Sequence, residues 1–334
     1  MKKNKIKASI IGLGFGETHL KALKKNKFCD VVKVCDNDKS KIKYFEKRYQ
    51  KKFVKNYKSL INNDKINFVS IATYDDTHFK ILRDTIKMNK NVFIEKPICQ
   101  TFNQLKIINR LLNKNKKIKI STNMVLRNHP KFLKIKELIS SGQIGKIYHI
   151  EGEYNYGRFH KLTNGWRGRI PYYSVMAGGG IHIIDLFRWY VKSKFEKVIG
   201  IDNNLSSKKS IFKFSDTTTA LVKFKNGVTG KITANFPIKS KHHHVLNIFG
   251  EKGSIMSDMK NLYISKSKNS VTKKKIIKFK INKKYKYGII DNFIYSILGK
   301  KKPLYDKSII IHNMCTALSI DKSLRSKKWE KIKF

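Results

Sequence analysis

Between residues 7 and 122 short apolar runs alternate with segments of helical period. "KASIIGLG" reads as a buried strand, and "DVVKVCD", "INFVSIAT", "NVFIEKP" and "IKIST" repeat that pattern. "THLKALKKN", "DKSKIKYFEKRYQ", "DDTHFKILRDTIKMN" and "TFNQLKIINRLLNKN" carry apolar residues at helical spacing between them. Strands interleaved with helices of roughly 10 to 15 residues predict βαβ units, and therefore a parallel sheet with both faces covered.

After about residue 123 the rhythm changes. "PKFLKIKELISSG" predicts a helix with Gly142 as its C-cap. "KIYHIEGEYNYG" alternates like a strand, and from 195 to 282 strands follow one another, with Asn226-Gly227 as a hairpin turn. A last helix is expected over 308–324. The fold class is thus α/β: a Rossmann-type domain over 1–122, then an α+β domain over 123–334 with a mostly antiparallel sheet. No repeat or low-complexity linker interrupts it.

With 334 residues the chain can bury two cores. The apolar run "ASIIGLGFG" is broken by glycines and lacks a cleavage pattern, so it reads as strand and turn, not a signal peptide. No window has the roughly 18 uncharged apolar residues of a membrane helix. Cys29, Cys35, Cys99 and Cys315 are scattered without a C-x-x-C pair, which argues against a disulfide framework or zinc site and fits a reducing cytoplasm. The net charge of +50 raises the question of nucleic acid. The lysines, however, occur in every segment and form no tail or stripe, so the reading is a solvated basic surface without specific nucleic-acid binding. Only nine of the 73 basic residues are arginines, and five (Arg127, Arg158, Arg167, Arg169, Arg188) lie between 127 and 188. In a chain so rich in lysine, such a cluster points to the planar fork that grips carboxylate or phosphate, and so to an anionic substrate.

"IIGLGFGETHL" follows the first strand and opens a helix, the setting of a dinucleotide fingerprint. Gly12 supplies the tight turn, and Gly14, Phe15 and Gly16 bring the backbone to a pyrophosphate at the helix N-terminus. Glu17 stands at the third fingerprint position, with Gly16 one place early. Asp36, 22 residues after Gly14, ends the second strand. An acid there accepts hydrogen bonds from a ribose 2′-hydroxyl and repels a 2′-phosphate, so NAD is expected over NADP.

"IEKP" at 94–97, at the end of a strand of such a domain, resembles the glucose–fructose oxidoreductase / inositol dehydrogenase / MocA family. "SIATYDDTHFKIL" is similar to that family's turn near the nicotinamide ribose, with Tyr74 where a proline is usual. "MVLRNHPKFLKIKELISSGQIGKIYHIEGEYNYG", "GWR" at 165–167, "GGGIHIIDLFRW" and "LNIFGEKGSI" continue the resemblance over nearly the whole chain. It implies a Rossmann domain, an open-faced antiparallel sheet domain that pairs with a partner copy, and NAD(P)-dependent redox chemistry on sugars or inositols. Thr73, His78, Glu95 and Lys96 then fall among the cofactor contacts, with His78 equally readable as a helix-start residue. Lys96 matches the lysine that contacts the reacting hydroxyl, His182 the histidine of G-x-H-x-x-D, and Asp185 its last acid. The chain departs from the pattern at Gly178, where many members keep an aspartate four residues before the histidine. That leaves Lys96 and His182 as the catalytic pair.

Histidine suits removal of a hydroxyl proton near neutral pH. A helix N-terminus disfavours the charged imidazole, and Lys96 can stabilise the developing alkoxide. Asp185 could orient the imidazole or hold a substrate hydroxyl. Arg127, Tyr156, Arg158, Trp166 and Arg167 are the other substrate-binding candidates; Tyr154, Tyr172 and Tyr173 could line a sugar pocket or simply pack. In "KHHHV" only His242 and His244 can converge, since neighbours on a strand face opposite ways, and no metal is expected. The function read from these residues is an NAD-dependent oxidoreductase of a sugar or sugar-derivative hydroxyl, a nucleotide sugar or sugar acid among the options. The alternatives are elimination or glycoside cleavage with retained NAD, and a cofactor-binding regulator without catalysis.

Overall fold

The computed structural model describes residues 5–49, 53–268 and 271–334. Gln50, the end of a predicted helix, and positions 269 and 270 of the predicted strand region lie outside them. The chain forms two compact units, Met1–Met124 with Lys284–Ile311 and Val125–Lys283 with His312–Phe334.

In the first unit, chain order runs β1 (Ile6–Ile11), α1 (Gly16–Lys25), β2 (Cys29–Cys35), α2 (Lys39–Tyr49), β3 (Phe53–Val54), α3 (Lys58–Ile61), β4 (Phe68–Ile71), α4 (Asp75–Lys87), β5 (Asn91–Ile94), α5 (Phe102–Lys114) and β6 (Ile120–Thr122). The six strands pair in the order β3-β2-β1-β4-β5-β6, all in parallel. Phe68, Val69 and Ile71 of β4 and Val92, Phe93 and Ile94 of β5 are buried, as continuous apolar runs in a doubly covered sheet require. Strand order reverses between β1 and β4, so their carboxyl ends diverge and leave the crevice in which such folds hold ligands.

The helix Gly288–Ile297 is not among the elements predicted above, and it belongs to this unit rather than the second. Its buried face explains the difference. The Phe293 ring lies 5.9 Å from Phe68 and 6.1 Å from Phe93, and Asn26 donates to Asp291 at 2.8 Å.

The second unit contains α6 (Pro130–Ser140), β7 (Ile147–Asn155), α7 (His160–Thr163), α8 (Ile181–Val191), β8 (Phe195–Asn203), β9 (Thr217–Phe224), β10 (Thr229–Asn235), β11 (His243–Gly250), β12 (Gly253–Ser257), β13 (Leu262–Lys268), β14 (Val271–Ile276) and β15 (Glu330–Lys331). They form one nine-stranded sheet, β14-β13-β12-β11-β7-β10-β9-β8-β15. Every pairing is antiparallel except β7 with β10. The long helix Lys307–Ser326, predicted as 308–324, contributes its residues from His312 onward. Ile150, Ala220, Val222, Ile232, Leu246 and Ile248 share the buried face of this sheet, while Ile201 and Leu221 on the other face are exposed. The alternation along β7, β9, β10 and β11 produces this one-sided burial. No helix among the described residues is long and apolar enough to cross a membrane.

Candidate active site

The residues singled out from the sequence fall in both units, and each group is built within its own. In the first unit, Gly12 has φ +90° and a Cβ placed on it would stand 2.5 Å from the Ala72 carbonyl oxygen. Only glycine tolerates both conditions. Its N–H donates to the Cys35 carbonyl at 2.8 Å, tying the turn after β1 to the end of β2. Leu13 N–H donates to Asp36 Oδ2 at 2.8 Å and Asp38 N–H to Oδ1 at 3.0 Å, so the buried carboxylate is held under the turn. A carboxylate has about four acceptor positions, so these two bonds leave Asp36 able to accept ribose hydroxyls. No side chain caps α1, a Cβ on Gly14 would meet nothing within 4 Å, and Phe15 is exposed. An open backbone facing an uncapped helix N-terminus fits the pyrophosphate of a dinucleotide.

At the ends of β4 and β5 the structure alters two expectations. His78 is fully buried, with Nδ1 2.7 Å from the Pro97 carbonyl oxygen and Nε2 3.2 Å from that of Thr73. Both ring nitrogens face backbone carbonyls, so the His78 side chain ties the Thr73 turn to the Lys96–Pro97 turn. Glu95 is buried as well. Its Oε1 accepts from His19 Nε2 at 3.1 Å and from Asn123 Nδ2 at 2.7 Å, while His19 Nδ1 lies 2.8 Å from Ser70 Oγ. Burial alone would raise this carboxyl, but the His19 hydrogen bond and charge, the Lys96 charge and the Asn123 hydrogen bond bring it down to about 2. The resulting anion anchors the strand end that carries Lys96, which is half-buried. Thr73 lies at the end of β4, and its hydroxyl accepts from Thr77 Oγ1 at 2.7 Å.

His19, Ser70 and Asn123 were not singled out by sequence. The signal was present in α1, where Gly16, His19, Leu20 and Leu23 form the buried face. A histidine at an apolar helical position needs a polar partner.

In the second unit the glycine run belongs to a π-helical turn, Met176–Gly180, that leads directly into α8. The unpaired N–H groups of the helix start therefore precede His182 by more than one turn. A helix-end field falls off within the first turn, so it does not act on His182 as the sequence suggested. His182 is buried, and Tyr154 stacks on it at 5.8 Å with rings 13° from parallel. The glycines permit this packing: a Cβ on Gly179 would lie 2.5 Å from the Tyr154 ring, and one on Gly178 only 2.3 Å from the Tyr173 hydroxyl.

Asp185 is held by Arg127 and Asn313. Arg127 donates from Nε to Asp185 Oδ2 at 2.9 Å and from Nη2 to Oδ1 at 2.7 Å, and Asn313 donates to Oδ1 at 2.8 Å. Both residues, expected to bind substrate, are engaged in a buried bidentate pair that holds α8. Arg167 and Arg158 lie elsewhere. The Arg167 guanidinium sits 4.5 Å from the Trp166 ring centroid and 5.7 Å from that of Tyr156; Arg158 is also 5.7 Å from Tyr156. Tyr172 donates to Asp321 Oδ2 at 3.2 Å and borders a cavity of about 470 Å³ shared with Tyr173, Phe214 and Arg325. The rings of His242 and His244 converge at 4.7 Å. Burial, followed by the charges of His242, His182, Lys131 and His129, pushes the His244 imidazole well below its usual range. Among the described residues no three His, Cys, Asp or Glu side chains gather to hold a metal ion.

Comparison with known proteins bears on the family and the fold. Residues 6–123 match the GFO_IDH_MocA family, described as "Oxidoreductase family, NAD-binding Rossmann fold", and residues 132–256 match the GFO/IDH/MocA C-terminal domain. Oxidoreductase P35 of Formosa agariphila is 32% identical over 227 residues, 65% of this chain and 67% of that protein. Myo-inositol 2-dehydrogenase of Thermotoga maritima is 25% identical over 76% of this chain and 75% of its own. Among solved structures, scyllo-inositol dehydrogenase from Lactobacillus casei with bound NAD(H) and scyllo-inositol superposes with a TM-score of 0.80 at 17% identity, covering 98% of this chain and 99% of that one. Levoglucosan dehydrogenase in complex with NADH gives 0.85 at 18%, over 98% and 99%. At those identities the structures establish the fold, and the family matches over residues 6–123 and 132–256 establish the family. The chain belongs to the GFO/IDH/MocA family of NAD-binding oxidoreductases.

Proposed function

We propose that this oxidoreductase uses NAD to oxidise or reduce a carbinol carbon of a sugar-like substrate bearing an anionic group, in a sugar acid or a nucleotide sugar. The observation that carries the cofactor choice is Asp36, a buried carboxylate fixed under the turn by Leu13 N–H. Its charge opposes a 2′-phosphate and its remaining lone pairs suit ribose hydroxyls. The relatives named as inositol and levoglucosan dehydrogenases support a polyhydroxylated substrate.

Gly12, Gly14, Gly16 and Asp36 would hold the dinucleotide, with Thr73 and Lys96 toward its nicotinamide end. Bound nicotinamide supplies the hydride acceptor or donor. His182 accepts the hydroxyl proton at a ring nitrogen as the C–O bond becomes a carbonyl, and the stacked Tyr154 holds the imidazole plane and excludes water from one face. The Lys96 ammonium donates to the oxygen on which charge develops. Arg127, bonded to Asp185 three residues along α8 from His182, fixes the helix that carries the base. Exposed Ile201 and Leu221 on the outer sheet face support pairing of two copies there, which sedimentation of Leu221→Asp against wild type would test.

The decisive experiment screens polyols, sugar acids and nucleotide sugars for absorbance change at the nicotinamide band, with wild type, His182→Ala and Lys96→Ala. Turnover by wild type that falls at least about a hundredfold in either variant is expected. Full turnover by His182→Ala would remove its role as base.

A further inference from the structure

The cavity of about 470 Å³ lies within the size range of small-molecule sites, about 300–1,000 Å³. It opens where the end of β8, the start of β9 and the segment between them meet residues 172–175 and the last turns of the helix Lys307–Ser326. All the described residues that line it belong to the second unit, and His182 is not among them.

One wall carries a buried carboxylate. Asp321, 5% exposed, accepts from Ser174 Oγ at 2.8 Å and from the Tyr172 hydroxyl at 3.2 Å. Both donors are neutral, and a carboxylate has about four acceptor positions, so these two bonds leave room for a further donor. Burial raises the carboxyl to about 6 against the two hydrogen bonds and the Arg325 charge, and the Asp202 charge adds to the rise. A carboxylate so displaced is short of positive charge, which a bound ammonium would supply.

The lining also carries charge of both signs. Asp202, which accepts from Ser215 Oγ, adds a second acid, while Lys213 and Arg325 are exposed and border the same space. A simple cation entering it would meet Lys213 and Arg325, and a simple anion would meet Asp321 and Asp202. A molecule with both charges matches both pairs. Apolar surface completes the wall. Tyr172 and Phe214 meet edge to face with ring centroids 5.5 Å apart, and Leu324 lies on the same cavity.

We propose that this cavity binds a zwitterion of the α-amino acid class with an apolar side chain. The ammonium sits at Asp321, the carboxylate toward Arg325 and Lys213, and the side chain against Tyr172, Phe214 and Leu324. This site is independent of the redox reaction proposed above, and its ligand is held without being transformed.

The test is calorimetric titration of the protein with L-phenylalanine, L-leucine and two analogues that keep one charge each, phenethylamine and hydrocinnamate. The buffer stands well above about pH 6, so that Asp321 is ionised. Wild type is expected to bind at least one amino acid about tenfold or more tightly than either analogue. Arg325→Gln alters an exposed side chain and leaves the buried acid in place. It should weaken the amino acid about tenfold and leave phenethylamine unchanged. Asp321→Asn keeps the shape of the buried group, and should weaken the amino acid while leaving hydrocinnamate unchanged. No binding of either amino acid, an analogue bound as tightly as both, or an unchanged Arg325→Gln overturns the site. Asp321 is then a clip between the helix and residues 172–174 and nothing more.

Discussion

Arg127 and Asp185, 58 residues apart in the chain, meet through two parallel hydrogen bonds of 2.9 and 2.7 Å with their side chains 5% and 1% exposed. A guanidinium and a carboxylate taken this far from water are tolerated because their donors and acceptors match, and Asn313 adds a further hydrogen bond at 2.8 Å. Asp185 stands on the helix that carries His182, three residues from it.

Removing one partner leaves the other buried and uncompensated. Arg127→Ala and Asp185→Ala should each destabilise the protein by about 3–5 kcal/mol in urea titrations, whereas Arg127→Met with Asp185→Leu should cost much less. Single variants within about 1 kcal/mol of wild type, the range of exposed pairs, would show that the pair is not buried in solution.

The Glu95 carboxyl lies at about 2 in the folded protein, below its ordinary 4.5. Folding therefore favours its ionised form. That stabilisation is complete above about pH 4.5 and is lost as pH falls toward about 2. Glu95→Gln should melt lower than wild type at pH 6 by on the order of 3 kcal/mol at most, and the gap should close on acidification. A gap that is the same at pH 6 and pH 3 contradicts the assignment of Glu95 as the buried anion held by His19.

His312 accepts from Phe195 N–H at 3.1 Å, which requires a neutral ring. Burial, then the charges of Arg188, Lys194 and Lys225, lowers it from 6.5 to about 3. The unfolded chain thus takes up the proton first, and the stabilisation present above about pH 6.5 is lost as pH falls toward about 3. His312→Gln keeps an acceptor without the titration. Its stability should fall less steeply from pH 6 to pH 4, by about one proton in the slope. An unchanged slope would mean that His312 charges freely in the fold.

Gly12 and Gly14 should respond differently. Gly12→Ala meets both the positive φ and the Ala72 carbonyl, so it should lower stability by about 1–3 kcal/mol and abolish NADH binding followed by fluorescence. Gly14→Ala has open space, so the fold should be unchanged while cofactor affinity drops. Asp36→Asn should narrow the preference for NADH over NADPH by about tenfold or more. A preference that does not move would take the carboxylate out of cofactor selection.

Much of the fold is visible in the chain because burial imposes a local period. The strands β1, β2, β4 and β5, the helices between them and the Gly142 and Gly227 turns follow from spacing or from positive φ at a glycine. So do the fingerprint turn above Asp36 and the convergence of His242 with His244. The helix Gly288–Ile297 shows the limit, since an apolar face announces burial without naming the core that receives it. The parallel β7–β10 pairing has the same origin, because alternation marks a strand's faces and says nothing about its neighbour or direction. The site divides along that line. Residue types at fixed local spacing marked Gly12, Gly14 and Asp36 as cofactor candidates, and the family resemblance, not spacing, put Lys96 and His182 forward as the candidate catalytic pair. Only tertiary structure set Glu95 against His19, 76 residues away, paired Asp185 with Arg127, 58 residues away, and brought Tyr173 over Gly178 with Arg167 bonded to its hydroxyl. Such partners are chosen by which buried charge or volume must be matched once the chain is folded, and local sequence carries no record of that choice.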